Sequence, residues 1–192
     1  MTKRLLWRLI GLDTAFMIIL LDQISKWLVM TNVFEAIYKE DNVPDFITWL
    51  FSKGKDLFEA PTVVVTDFFN LVMVWNPGVS FGMLQVDQAH MRLVLSVFAI
   101  IVSAGFLIWL WREPRPSIAF PLGLIAGGAL GNVCDRLRFG AVADFLDFHV
   151  AGYHWPAFNL ADSAITIGVI LLLVDQFFIA NKSRGGVINE TV

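Results

Sequence analysis

Charge is what this chain has least of: Asp, Glu, Lys and Arg supply 16% of its 192 residues, while 57% are hydrophobic. Soluble domains carry about 25% charged and roughly 45–50% apolar residues, so the composition argues against a water-soluble globule. Disorder is excluded as well, because apolar side chains this abundant must be buried somewhere. The one cysteine, Cys134, forbids an internal disulfide and cannot build a cysteine-based metal site. His149 and His154 are too few to hold a catalytic metal without carboxylate help, and neither an HExxH pair nor a GxSxG elbow occurs. Basic residues are not in excess: 14 Lys and Arg against 17 Asp and Glu leave a net charge of −3, which offers no positive field for nucleic acid. What remains is an α-helical integral membrane protein.

A bilayer core of about 30 Å takes roughly 20 mostly apolar residues per helix. Four stretches qualify, at residues 9–30, 89–111, 117–137 and 163–180. They predict four transmembrane helices in one domain over 1–192, with outer segments 31–88 and 138–162. The first stretch runs from Leu21 straight into Asp22-Gln23-Ile24-Ser25-Lys26 with no small-residue cleavage site, so it reads as a span rather than a cleavable signal peptide. Basic flanks stay in the cytoplasm. Lys3, Arg4 and Arg8, then Arg112 and Arg115, then Lys182 and Arg184 all fall on one side of four spans, which makes both termini cytoplasmic. Trp7, Trp109 and Trp111 beside them match an interfacial aromatic belt.

The outer segments carry β signals. Residues 67–75 are β-prone and break at Asn76-Pro77-Gly78, and residues 141–150 read as a strand between Gly140 and Ala151-Gly152. Together they predict a small extracytoplasmic β-sheet resting on the outer membrane face. Residues 44–58 read as an interfacial amphipathic helix.

Ionisable groups at membrane depth mark a functional site by default, and here they gather at the outer ends of the spans. Asp22 and Lys26 share a helix face and can neutralise one another as an ion pair. Gly123, Gly127 and Gly131 form a stripe that lets a second helix approach closely. After it come Asn132, Asp135 and Arg136. Asp135 and Arg136 point in different directions, so each needs its own partner, in a structural network or in a catalytic one. Strand alternation puts Asp144 on one face with Val142, Leu146 and Phe148, and Asp147 on the other with Phe145 and His149. Apolar neighbours raise the pKa of an acid by removing its hydration. Asp162 follows Asn159-Leu160-Ala161, where Asn159 is placed to cap the last span and Asp162 to sit near its third position. Capping and catalysis are compatible there, because a helix N-terminus favours an anionic carboxylate. A neutral Asp144 facing an anionic Asp162 is the asymmetric pair that aspartic proteolysis needs.

Four blocks in order, Asn76-Pro77-Gly78-Val79-Ser80-Phe81-Gly82, Gly127-Gly128-Ala129-Leu130-Gly131-Asn132-Val133-Cys134-Asp135-Arg136, Val142-Ala143-Asp144-Phe145 and Pro156-Ala157-Phe158-Asn159-Leu160-Ala161-Asp162-Ser163, resemble the lipoprotein signal peptidases (signal peptidase II). The likeness runs from Asp22 to about Ala180. Segment 34–62 is longer than the family usually carries, and Ala143 stands where it often has valine. The resemblance implies an aspartyl endopeptidase of the bacterial cytoplasmic membrane, with an outer β-cradle and no cofactor or metal. Its substrates would be diacylglyceryl-modified prolipoproteins, cleaved on the amino side of the lipidated cysteine, and globomycin would inhibit it. By motif, Asp144 and Asp162 become the catalytic pair. Asn132, Arg136 and Asn159 become supporting residues, with Asp22, Asn76 and Asp135 as further site or scaffold positions. Two rival readings are a small proton or solute transporter with Asp22, Asp135 and Asp162 as a relay, and a structural membrane subunit without turnover.

Overall fold

The structure, a computed structural model, describes residues 1–35, 44–51, 60–78 and 88–188, with side chains as far as 177. Helix α1 spans Lys3–Leu28 and continues as a π-helical turn, Val29–Glu35. A short helix α2, Phe46–Phe51, precedes strands β1, Val63–Thr66, and β2, Phe69–Asn76. Helices α3, Gln88–Arg112, and α4, Pro116–Phe139, are followed by β3, Val142–Val150, β4, Tyr153–His154, and α5, Leu160–Ile188.

Among the described residues, three helices are long and apolar enough to cross a membrane: Ala89–Arg112, Pro116–Phe139 and Leu160–Phe177. They play unequal parts. The apolar window of α4 is 72% buried, against 17% for α3 and 22% for α5, so α4 is the axis around which α1, α3 and α5 pack. Its glycines explain how. A Cβ on Gly123 would lie 2.4 Å from the Gly11 carbonyl, and one on Gly127 would lie 2.6 Å from the Ala15 carbonyl, so this stripe is the seam with α1. Gly128 serves α5 in the same way, 2.4 Å from the Ala161 carbonyl. Without a hydrophobic force between helices in lipid, such close backbone approach is what holds them together. The outward faces of α3 and α5, with Phe98, Ile101, Ile170 and Leu173, are left exposed. Helix α1 is more mixed. It buries Asp22, Gln23 and Lys26 among its contacts, and at its other end Arg8 donates to the Trp111 carbonyl and lies over the Trp111 ring.

Pro116 starts α4 at a position where its missing N–H costs nothing. Gly140 ends it with φ +86°, in the left-handed region, and its N–H returns to the Arg136 carbonyl. That reversal feeds the chain directly into β3. The sheet is antiparallel in the order β1-β2-β3-β4, and β3 turns into β4 through Ala151 and Gly152, both at positive φ as a two-residue hairpin requires. Met30, Phe34, Trp49, Met73 and Ala143 form the core between the sheet and the ends of α1 and α4.

Two expectations change. Asp67 and Phe68 are not strand but the turn of a β1–β2 hairpin, and the Val-rich strand β1 that precedes them has no polar alternation to announce it. Helix α2 starts at Phe46 rather than at residue 44 and is described as far as Phe51; Asp45 caps it by accepting from the Ile47 and Thr48 amides, and it buries Trp49 against Phe139. The remainder of the expected amphipathic helix, 52–58, and the motif residues 79–82 lie outside the described residues.

Candidate active site

Asp144 and Asp162 reach one place from opposite directions, the first along β3 and the second at the start of α5. Asn159 is the N-cap of α5: its Oδ1 accepts from the Asp162 amide at 2.9 Å, and the Asp162 carboxylate faces the Asn159 amide at 3.4 Å. This reciprocal capping box fixes the Asp162 side chain at the N-terminal turn. Because its oxygen is committed to the cap, Asn159 presents its Nδ2 to Asp144 Oδ1 at 2.7 Å and to Asn132 Oδ1 at 3.2 Å. Asn132 in turn donates its Nδ2 to Asp162 Oδ1 at 2.8 Å. The two acids are therefore joined by a relay of two neutral amides.

Asn76 completes the shell. Its Oδ1 accepts from the Gly78 amide at 2.8 Å, which leaves its Nδ2 to donate to Asp144 Oδ2 at 3.0 Å. Asp144 is 1% exposed. Burial and, after it, the charge of Asp162 push its carboxyl up to about 7, against the pull of the Asn76 and Asn159 amides. No cation bonds to either acid among the described residues. Arg136, expected as a supporting residue, makes one long hydrogen bond of 3.5 Å to the Asn132 carbonyl among the described residues, and its buried Nε has no partner among them. Its head lies beside Gly78 and is near enough to Asp162 and Asp144 to feel their charge.

Asp22 and Asp135 are brought together elsewhere, beneath the pair. The Lys26 ammonium sits 2.7 Å from Asp22 Oδ2 and 2.6 Å from Asp135 Oδ2, with all three side chains at 0% exposure. Gln23 donates to Asp135 at 2.9 Å and to Asp22 at 3.2 Å. Arg138 donates to Gln23 Oε1 and to the Trp49 carbonyl while stacking on the Trp49 ring. The Asp22–Lys26 pair was legible from its spacing. Asp135 as the second partner, and Gln23 and Arg138 as its support, were not, because nothing local links the end of α4 to α1.

Asp147 lies on the other face of β3, as alternation requires. It accepts from Asn70 at 2.8 Å and meets the His154 ring at 2.8 Å, with His149 stacked on His154. Burial pushes its carboxyl up, but the Asn70 and His154 contacts outweigh it and hold it below the usual carboxylate range. One β-bulge makes this division possible. Asn70 and Asn76 are an even number of residues apart and would share a face of a regular strand. The register shift between Leu71 and Val74 inserts one residue into β2, so Asn70 serves Asp147 while Asn76 serves Asp144. Among the described residues no cluster of three His, Cys, Asp or Glu is arranged to hold a metal.

The chain resembles known proteins over most of its length. A lipoprotein signal peptidase of Rhizorhabdus wittichii is 39% identical over 172 residues, covering 89% of this chain and 87% of that protein. One from Janthinobacterium is 39% identical over 167 residues, covering 86% of each. A solved bacterial membrane enzyme superposes with a TM-score of 0.64 at 24% identity over 90% of both chains. A second does so with a TM-score of 0.60 at 26% identity, over 86% of this chain and 91% of that one. The profile of the peptidase family described as signal peptidase (SPase) II matches residues 14–178, and with relatives this close over nearly their whole length the chain belongs to that family of membrane-embedded proteases.

Proposed function

We propose that this protein is an aspartyl endopeptidase that removes the signal peptide from diacylglyceryl-modified prolipoproteins, cutting on the amino side of the lipidated cysteine, with Asp144 and Asp162 as the catalytic pair. The observation that carries the reading is the pair itself: two acids held by Asn76, Asn132 and Asn159, with one of them pushed up to about 7. Such a pair shares one proton. Asp144 holds it. Asp162, at the helix N-terminus, is the anion.

In the first step Asp162 takes a proton from water, and the oxygen of that water attacks the scissile carbonyl carbon. Asp144 gives its proton to the carbonyl oxygen, so the intermediate is a neutral diol. In the second step the proton on Asp162 passes to the leaving nitrogen as the C–N bond breaks. Asp144 recovers its proton from a diol hydroxyl, and the pair returns to its starting state. Asn76 and Asn159 hold the Asp144 carboxyl, and Arg136, whose head lies beside Gly78, would supply a cation toward the peptide backbone.

In this reading residues 1–192 form a single peptidase domain in the bacterial cytoplasmic membrane. Helix α1 is the fourth span, both termini are cytoplasmic, and the sheet lies at the outer face. The signal helix of the substrate would occupy the bilayer while its lipidated cysteine meets the pair at that surface, with the acyl chains left among membrane lipid. The deciding experiment incubates the purified protein with a lipidated precursor, with and without globomycin. Cleavage before the cysteine that globomycin blocks is expected. Solute or proton flux in proteoliposomes without cleavage would instead favour the transporter reading.

A further inference from the structure

We propose that Lys26 is a positioning residue for the catalytic pair: one buried ammonium clamps Asp22 and Asp135, and each of those carboxylates holds the backbone of the residue preceding one catalytic aspartate. The inference rests on the assignment of Asp144 and Asp162 as that pair. The geometry is symmetric. Asp22 gives Oδ2 to Lys26 and accepts the Ala161 amide on Oδ1 at 3.1 Å, one residue before Asp162. Asp135 gives Oδ2 to Lys26 and accepts the Ala143 amide on that same oxygen at 3.1 Å, one residue before Asp144. The first tie joins α1 to α5 and the second joins α4 to β3, and both end on a single nitrogen atom.

Neither amide can turn to water. Ala143 and Ala161 are both fully buried, so water does not replace the carboxylates. Gly131 lies directly against Asp22, where a Cβ would stand 2.9 Å from Oδ2, so that carboxylate is walled in as well as bonded. Stability is a weak reason for such a cluster, since apolar residues of similar volume commonly serve a buried core as well or better than buried charges. Spacing is a strong one, because an error of about 1 Å between reacting groups costs on the order of 100-fold in rate.

The test uses the full chain in membrane-mimetic particles. Lys26→Met is compared with the parent by hydrogen exchange over the segments containing Ala143 and Ala161, and by turnover of a lipidated precursor per folded molecule. Expected are faster exchange at both segments and a fall in kcat on the order of 100-fold, with KM within about twofold, the scatter of independent sites. A merely structural lysine would reduce the folded yield and leave kcat per folded molecule and KM as they were. If Lys26→Met yields no folded protein, Asp22→Asn and Asp135→Asn decide the matter. Each should loosen its own segment, the first at Ala161 and the second at Ala143, and lower kcat, and the double variant should fall well short of the product of the two. Unchanged exchange at both amides, unchanged kcat per folded molecule, or independent multiplicative losses would overturn the clamp. Should the parent cleave nothing, the peptidase reading fails, while the exchange measurements still judge the clamp.

Discussion

Two pairs of carboxylates lie close to one another in this protein, and they differ in what stands between them. Between Asp22 and Asp135 is the Lys26 ammonium, which ion-pairs with both carboxylates in a fully buried cluster. Between Asp144 and Asp162 are the neutral amides of Asn159 and Asn132, which orient the oxygens without supplying positive charge. The first pair is locked by its cation. The second has no such cation among the described residues, and burial together with the charge of Asp162 pushes Asp144 up to about 7, the asymmetry that the proposed acid–base chemistry requires. A third acid, Asp147, shows the commonplace alternative: an amide and an imidazole satisfy it on the far face of the same strand.

The comparison is broken most severely at the reactive pair. Asp144→Asn and Asp162→Asn should each lower cleavage of a lipidated precursor by about 10²–10⁴-fold, with the protein still folded in membranes. Full activity in either variant would remove that residue from the mechanism. At the locked pair Lys26→Met also costs stability: it leaves two buried carboxylates without their cation and should cost about 3–5 kcal/mol, measured as a shift in the thermal midpoint. Adding Asp22→Asn and Asp135→Asn to Lys26→Met removes the stranded charge and should restore part of that loss.

The proton on Asp144 gives the contrast a pH signature. A carboxyl pushed up to about 7 is neutral below that pH and ionised above it, so the rate should fall as pH rises through about 7. Its folded pKa lies above the unfolded value of about 3.9, so the folded state holds the extra proton between those limits. The stability it lends is full below about pH 4 and is lost as pH rises towards 7. Thermal midpoints across that window should decline in the parent and decline less in Asp144→Asn. The smallest effect is expected from Asp147→Asn, with cleavage within about twofold of the parent. Inactivation comparable to Asp144→Asn would mean that the two faces of β3 have been confused.

Much of this was legible beforehand. The apolar stretches placed α3 and α4 to within two residues but left the start of α1 and the end of α5 six to eight residues short, and the glycine stripe announced a helix seam without saying that its partner is α1. Asn159 and Asp162 were readable as a cap because capping is local chemistry, settled by three intervening peptide units. Alternation separated Asp144 from Asp147 for the same reason. What escaped notice is long-range or irregular. Strand β1 carries no alternation because its valines are mostly exposed rather than split between two faces. Asp135 and Arg136 were readable as pointing in different directions, but not that Asp135 would meet Lys26 while the Arg136 head would lie beside Gly78.

The residues alone determined that this chain belongs in a membrane, which segments are helical, and which acids deserve suspicion, since hydropathy, periodicity and capping are properties of contiguous stretches. Tertiary structure alone decided that Asn76 serves Asp144 while Asn70 serves Asp147, because that follows from a single extra residue in β2. It alone decided that Lys26 answers Asp135 as well as Asp22. Both outcomes depend on where segments far apart in the chain come to rest against each other, and a local pattern carries no record of that register.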